Sequence, residues 1–200
     1  MPQPITIYSA VEGIVDEAAV RRLIAYVGGN PGTTYGKCGK NFLREKMAAY
    51  TNAARHAPWI VLIDLDQDAP CAPPLLEAWT PDPARHLCFR VAVRELEAWL
   101  LADVAGIASF LGVAPTKVPR LPEELDDPKL AMINLARRSR RSNIRADMLP
   151  REGSGRQIGP AYTSRLVEFI ATVWQPAEAA LRADSLRRAI SRLTALTAVV

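Results

Sequence analysis

Three short stretches of the chain carry acidic residues at spacings that could do chemistry. Glu12 follows the run "ITIYSAV", Asp64 and Asp66 alternate in "WIVLIDLD", and Glu95 and Glu97 alternate in "RELEAW". Two carboxylates two residues apart on an extended chain leave the same face. Held that close, they raise each other's pKa unless a proton or a cation is shared. A hard divalent cation such as Mg²⁺, or Mn²⁺ in its place, is held by a few carboxylates and completed by waters and substrate phosphate, which relieves the repulsion. It also polarises a phosphoryl oxygen and lowers the pKa of bound water. The chemistry is that of phosphodiesters. Each acid has a plainer reading when taken singly: acids are common where a strand gives way to a loop. Asp16 reads as a helix N-cap and Glu17 as a first-turn partner of the helix dipole.

The elements that must position these acids follow from hydrophobic pattern. Residues 5–11 predict a strand, and Val20, Leu23, Ile24 and Val27 recur at helical spacing until Gly28 and Gly29. The connector "GGNPGTTYGKCGK" predicts a short strand near residues 33–35 and leads to a helix over 41–55. The near-continuous apolar run of "WIVLIDLD" predicts a strand covered on both faces, as in parallel sheets. After the proline-rich surface segment "DAPCAPPLLEAWTPDP" comes a third strong strand, "HLCFRVAV", and then the helical stretch "RELEAWLLADVAGIASFLGV". Strands alternating with helices imply right-handed crossovers and an α/β fold with a mainly parallel sheet flanked by helices. In such a sheet the ligand crevice lies at the carboxyl ends of the strands, where Glu12, Asp64, Asp66, Glu95 and Glu97 would converge.

Beyond residue 113 the prolines at 115, 119, 122 and 128 predict an extended linker. Helices follow over 129–142, from Pro160, and from about Ser185, separated by the loop "LPREGSGRQIG". The expected organisation is an α/β domain over 1–112 and a helical C-terminal extension over 113–200. No apolar run is long enough to span a bilayer, and the first residues lack a basic and apolar leader pattern, so a soluble cytoplasmic protein is expected. Cys38, Cys71 and Cys88 are odd in number and far apart, which supports neither a disulfide framework nor a zinc site.

A net charge of +4 tilts toward an anionic partner such as nucleic acid. Seven arginines lie between residues 137 and 156 against Asp147 and Glu152. Arg137, Arg138, Arg140, Arg141 and Arg145 could neutralise phosphates with a steep salt dependence, or form a solvated or partner-binding segment. Lys37 or Lys40 in "TTYGKCGK" could likewise meet a phosphate at a helix start, or sit on a flexible turn. A Walker motif fails there, because Pro31 stands where its first glycine should be and Cys38 where it needs Ser or Thr. His56 and His86 have no triad-like neighbours, and Trp99 reads as core.

On "VEGIVDE", "DLDQD" and "RELEAWLLAD", the chain resembles the TOPRIM domain shared by topoisomerases, primases and the overcoming-lysogenization-defect nucleases. It is more closely similar to a bacterial family of unknown function with a diverged TOPRIM-like domain, related to phage-defence proteins. Val15 departs from that family, which often has Thr or Ser at this position. The resemblance implies a TOPRIM-like (Rossmann-like) fold, with Glu12 as metal ligand or general acid/base and Asp64 and Asp66 as Mg²⁺ ligands. Glu95 and Glu97 would be additional acids at the metal. It implies a nuclease of a phage-defence or mobile-element system, with a possible ATPase partner protein. The alternative is a non-catalytic module that binds nucleic acid or a partner.

Overall fold

In the computed structural model, which describes residues 4–80, 82 and 84–198, the expected alternation of strand and helix is present. β1 (Thr6–Val11) leads through α1 (Ile14–Tyr26) to β2 (Asn30–Gly36), followed by α2 (Lys40–Ala53), β3 (Trp59–Asp64), α3 (Ala72–Trp79) and β4 (Leu87–Ala92). The helices α4 (Leu96–Ala102), α5 (Val104–Leu111), α6 (Pro128–Arg137), α7 (Ser142–Met148), α8 (Tyr162–Thr172), α9 (Pro176–Ala180) and α10 (Asp184–Thr197) complete the chain. Among the described residues no helix is long and apolar enough to cross a membrane.

The four strands form one sheet in the order β2-β1-β3-β4, with every neighbouring pair parallel. This is a Rossmann-like α/β arrangement. From β1 the chain moves to one side to make β2, then crosses back to make β3 and β4 on the other side. The strand order therefore reverses between β1 and β3, the place where open parallel sheets hold ligands at their carboxyl ends. β3 is buried along its length up to Asp64, which is why its sequence is apolar without alternation.

The chain divides into two compact units, one holding the described residues up to Val93 together with α10, the other Arg94–Ala183. The division precedes the expected boundary at residue 112, and the last helix belongs with the sheet: Val93 N–H donates to the Ser185 hydroxyl at 3.3 Å. In the first unit Trp59 collects Tyr8, Tyr35 and Tyr50 at centroid distances of 5.4–5.5 Å. In the second, all seven residues of α4 are buried, and the indole N–H of the fully buried Trp174 donates to the Trp99 carbonyl at 3.4 Å.

Several boundaries differ from the pattern-based expectation for local reasons. Asp16 is not the cap of α1. Gly13 occupies that position without a side-chain cap bond, and Asp16 lies buried in the first turn. The helix expected over 94–113 is broken at Asp103, whose carboxylate accepts from the N–H groups of Gly106 and Gln175, both at 2.9 Å. The helix expected over 129–142 is broken at buried Ser139, whose hydroxyl bonds the Leu111 carbonyl and accepts from Arg141 N–H at 3.0 Å, a local competition that disfavours helix. Within 115–128 there are two 3₁₀ turns, Pro115–Lys117 and Pro122–Glu124. The proline-rich segment contains α3, begun by prolines in its first turn where they are tolerated; Pro81 and Pro83 of that segment lie outside the described residues.

Gly36 closes β2 against β1. It has φ of +85°, and a Cβ there would lie 2.4 Å from the Val11 carbonyl oxygen and 2.7 Å from Leu43. Gly28, at φ of +80°, would meet nothing within 4 Å. Gly28→Ala should thus cost only the left-handed strain, about 1–2 kcal/mol. Gly36→Ala adds a backbone clash and should lose at least about 1 kcal/mol more. Urea denaturation of the two variants measures the difference.

Candidate functional site

In the first unit the site is built on the ends of β1 and β3. β1 makes its last pairing at Val11, opposite Leu62. The N–H groups of Trp59, which opens β3, and of Leu65, just past its end, donate on the β4 side, to the carbonyls of His86 and Ala92. By alternation the Asp64 N–H faces β1, which has already ended. The Glu12 carboxylate takes the place of the missing strand, accepting from Asp64 N–H at 2.9 Å. The Glu12 backbone is fixed in turn, since its carbonyl accepts from Gly39 N–H at 3.1 Å and the Val11 carbonyl from Lys37 N–H at 2.8 Å. The glycine-rich connector thus braces the end of β1, a use of that segment which needs no phosphate.

The Asp64–Asp66 pair does not keep the geometry of an extended strand. β3 ends at Asp64, and Asp66 adopts a left-handed conformation with φ of +50°, a region Asp tolerates better than most residues. A turn then brings Asp68 N–H to the Leu65 carbonyl at 3.2 Å. The two carboxylates joined by a common cation are therefore Asp66 and Asp68. The cation is the ammonium of Lys40, with Nζ 2.5 Å from Asp66 Oδ2 and 2.7 Å from Asp68 Oδ2. Lys40 opens α2, where the helix dipole disfavours positive charge, so these acids offset an otherwise poor position. Burial acts against its charge, but the bonds to Asp66 and Asp68 outweigh it and hold its pKa above the ordinary lysine value. Burial raises the pKa of Glu12, opposed by the Asp64 N–H and by Lys40 and reinforced by the charges of Asp66 and Asp68.

Glu95 and Glu97 lie in the second unit and take different partners. Glu95 precedes α4 and serves the start of α6: its Oε2 accepts from Lys129 N–H and its Oε1 from Lys129 Nζ, both at 2.9 Å. Glu97 is buried inside α4 and accepts from the Tyr162 hydroxyl at 3.1 Å, with Lys129 Nζ 3.9 Å away. Burial raises its pKa against the influence of Lys129 and the Tyr162 hydroxyl, and nearby Glu95 raises it further. Of the arginines singled out in sequence, Arg141 donates to the Phe110 carbonyl at 3.1 Å and Arg145 to the Ser139 carbonyl. Both fasten the fold. Arg137, bonded to Asn134 at 2.8 Å, is exposed, as are Arg138 and Arg140. Lys37 pairs with Glu17 at 3.0 Å.

Asp68 and the cationic role of Lys40 were missed in sequence. The signal for Asp68 was present, since "DLDQD" continues the alternation by one step. Among the described residues no three His, Cys, Asp or Glu side chains form a group that could hold a metal ion. The oxygen donors of Asp64, Asp66 and Asp68 are nevertheless the chemical type Mg²⁺ takes, and that ion is commonly held by one or two carboxylates plus waters and substrate phosphate. In this respect the residues fit.

Glu97 yields a pH prediction with a definite sign. Its folded-state pKa lies above the ordinary 4.5, so the folded chain holds the proton longer than the unfolded one. Its contribution favours folding most below 4.5 and declines as pH rises through the folded value. Glu97→Gln removes this titration while keeping an acceptor for Tyr162. Urea denaturation from pH 4 to pH 8 should show a smaller loss of stability with rising pH in the variant than in the wild type, and equal slopes would contradict the assignment. Comparison of the chain with models of known protein families, with curated proteins and with solved structures finds no match.

Proposed function

We propose that this protein is a divalent-metal-dependent phosphodiesterase of nucleic acid, TOPRIM-like in its acidic residues, with its chemistry at the carboxyl ends of β1 and β3. The observation that supports this reading most is the Glu12 carboxyl held on the Asp64 N–H where the strand order reverses, in the same unit as the Asp66–Lys40–Asp68 cluster. Asp66 and Asp68, the two carboxylates that already converge on one cation, would hold Mg²⁺ or Mn²⁺, with waters and substrate phosphate completing its shell. Bound there, the ion would supply a coordinated water of lowered pKa and a polarised phosphoryl oxygen.

The chain's own residues have separate tasks. Glu12, partly desolvated and with a raised pKa, is suited to accept or return a proton. Its bond to the Asp64 N–H orients it. Lys40 keeps Asp66 and Asp68 close together against their mutual repulsion, and its ammonium is a donor for a substrate phosphate oxygen once those carboxylates bind elsewhere. The exposed Arg137, Arg138 and Arg140 offer positive surface to a phosphate backbone.

A second reading, a non-catalytic nucleic-acid- or partner-binding module, is favoured by one observation: a side chain of the protein already neutralises Asp66 and Asp68. The readings separate in a cleavage assay on single- and double-stranded DNA and RNA with Mg²⁺ or Mn²⁺. The enzyme reading expects cleavage that disappears in Asp64→Ala/Asp66→Ala and falls roughly 100-fold or more in Glu12→Gln, the scale of a lost acid/base group. Cleavage that survives the double substitution sinks this site. A wild type that binds these nucleic acids and cleaves none with either metal is the binding module.

A further inference from the structure

The outer edge of β4 carries a second concavity, of about 510 Å³, lined by none of the acids discussed above. β4 is the last strand of the sheet, so its outer backbone groups have no strand to pair with. Arg192 of α10 covers part of that edge, donating through Nη2 to the carbonyls of Arg85 at 2.7 Å and Leu87 at 3.3 Å. Arg90, on the strand itself, donates through Nη1 to the Phe89 carbonyl at 3.1 Å. Its Nε–H is buried and has no hydrogen-bond partner among the described residues.

Arg85, Arg90 and Arg192 all line the cavity, and Glu77 is the one acid among the described residues that line it. The wall thus has an excess of two positive charges, which favours an anionic occupant. Cys88 does not supply a countercharge. Burial pushes its thiol up to about 11 in spite of Arg90 and Arg192, so it stays neutral at physiological pH. The rest of the wall includes Leu76, Leu87 and Phe89, and Trp79 stacks on Phe89 with centroids 5.7 Å apart. The volume falls in the range of small-molecule sites.

We propose that this cavity binds a small organic phosphomonoester, its phosphate on the Arg90 and Arg192 guanidiniums and its apolar or aromatic group against Phe89 and Leu76. A phosphomonoester carries a charge of about −1.5 to −2 at pH 7 and three acceptor oxygens, which matches the excess charge of the wall. A phosphodiester linkage carries one charge and matches it less well. The site does not depend on the function proposed for the carboxyl-end crevice.

The probe is phenyl phosphate, titrated calorimetrically into the 200-residue chain. Saturable binding is expected, weaker by about ten-fold or more in Arg90→Gln, as the loss of a charge-assisted hydrogen bond implies. Inorganic phosphate, which lacks the ring, should also bind about ten-fold less tightly. Arg187→Ala, an exposed change on α10 at a residue paired with Asp184, should leave affinity unchanged. Arg192 also fastens the strand edge, so it is not the deciding variant. Glu77→Gln, at an exposed residue of α3, removes the opposing charge and should tighten binding even if Arg90→Gln proves unstable. Absence of binding at millimolar phenyl phosphate overturns the proposal. So does affinity indifferent to both Arg90→Gln and Glu77→Gln, or inorganic phosphate binding as tightly as phenyl phosphate.

Discussion

The first unit turns on one hydrogen bond, from the Asp64 backbone N–H to the Glu12 carboxylate. Because β1 stops at the level of Leu62 while β3 runs on to Asp64, a backbone donor in a largely buried sheet faces a strand that has already turned away. Leaving it unpaired would cost about 1–3 kcal/mol. A carboxylate at position 12 removes that cost and in exchange is held at one point, partly desolvated, at the reversal of strand order. The polarity of Glu12 is thus first a solution to a problem of strand lengths. The chemistry proposed for it follows from where that problem arises, since ligand crevices of parallel sheets form at the same place.

Holding Glu12 there has electrostatic consequences. Asp66 and Asp68 contribute like charge that pushes its pKa up, and Lys40 contributes opposite charge that brings it down. An ammonium at the first residue of α2 and two carboxylates after β3 are each unfavourable alone, the one because of the helix dipole and the others because of repulsion. Together they compensate, and with Asp66 and Asp68 46% and 48% exposed against 15% for Lys40, solvent screens the pairing from the carboxylate side. The Asp66–Asp68 pair thus calls for a cation, and the same oxygens cannot serve an ammonium and a divalent ion fully at once. The enzyme and binding-module readings differ on which cation prevails when substrate arrives.

What could be read from sequence divides along physical lines. The α/β class, the parallel sheet and the approximate strand positions were legible because β3 is apolar on both faces and the α1 positions Val20, Leu23 and Ile24 recur on one buried face. The broken helices were not legible. Asp103 and Ser139 break them through bonds to the nearby N–H groups of Gly106 and Arg141, and the bonds that also hold these two side chains, to Gln175 and Leu111, lie 72 and 28 residues away, outside any window along the chain. The membership of α10 in the first unit has the same cause, since its fastening to β4 runs through Ser185 and Arg192. At the site, the placement of Glu12 after β1 could be foreseen from pattern, but the Asp64 N–H as its partner could not, because that depends on two strands ending at different heights.

The two Asp/Glu-x-Asp/Glu pairs show why spacing alone does not determine which acids act together. An i, i+2 pair shares a face only while the backbone stays extended, and in both places the backbone changes conformation within the pair. Asp64 is the last residue of a strand and Asp66 is left-handed. Glu95 is extended at φ of −143°, and Glu97 is already inside α4. One member of the second pair therefore reaches the start of α6 while the other points into the core toward Tyr162. Carboxylates do converge on one cation at Asp66 and Asp68, where the turn folds the chain back on itself, and that cation comes from α2, 26 residues before Asp66. For acids at strand ends, the conformation of the residue between strand and turn determines which of them can act together, ahead of their separation in sequence.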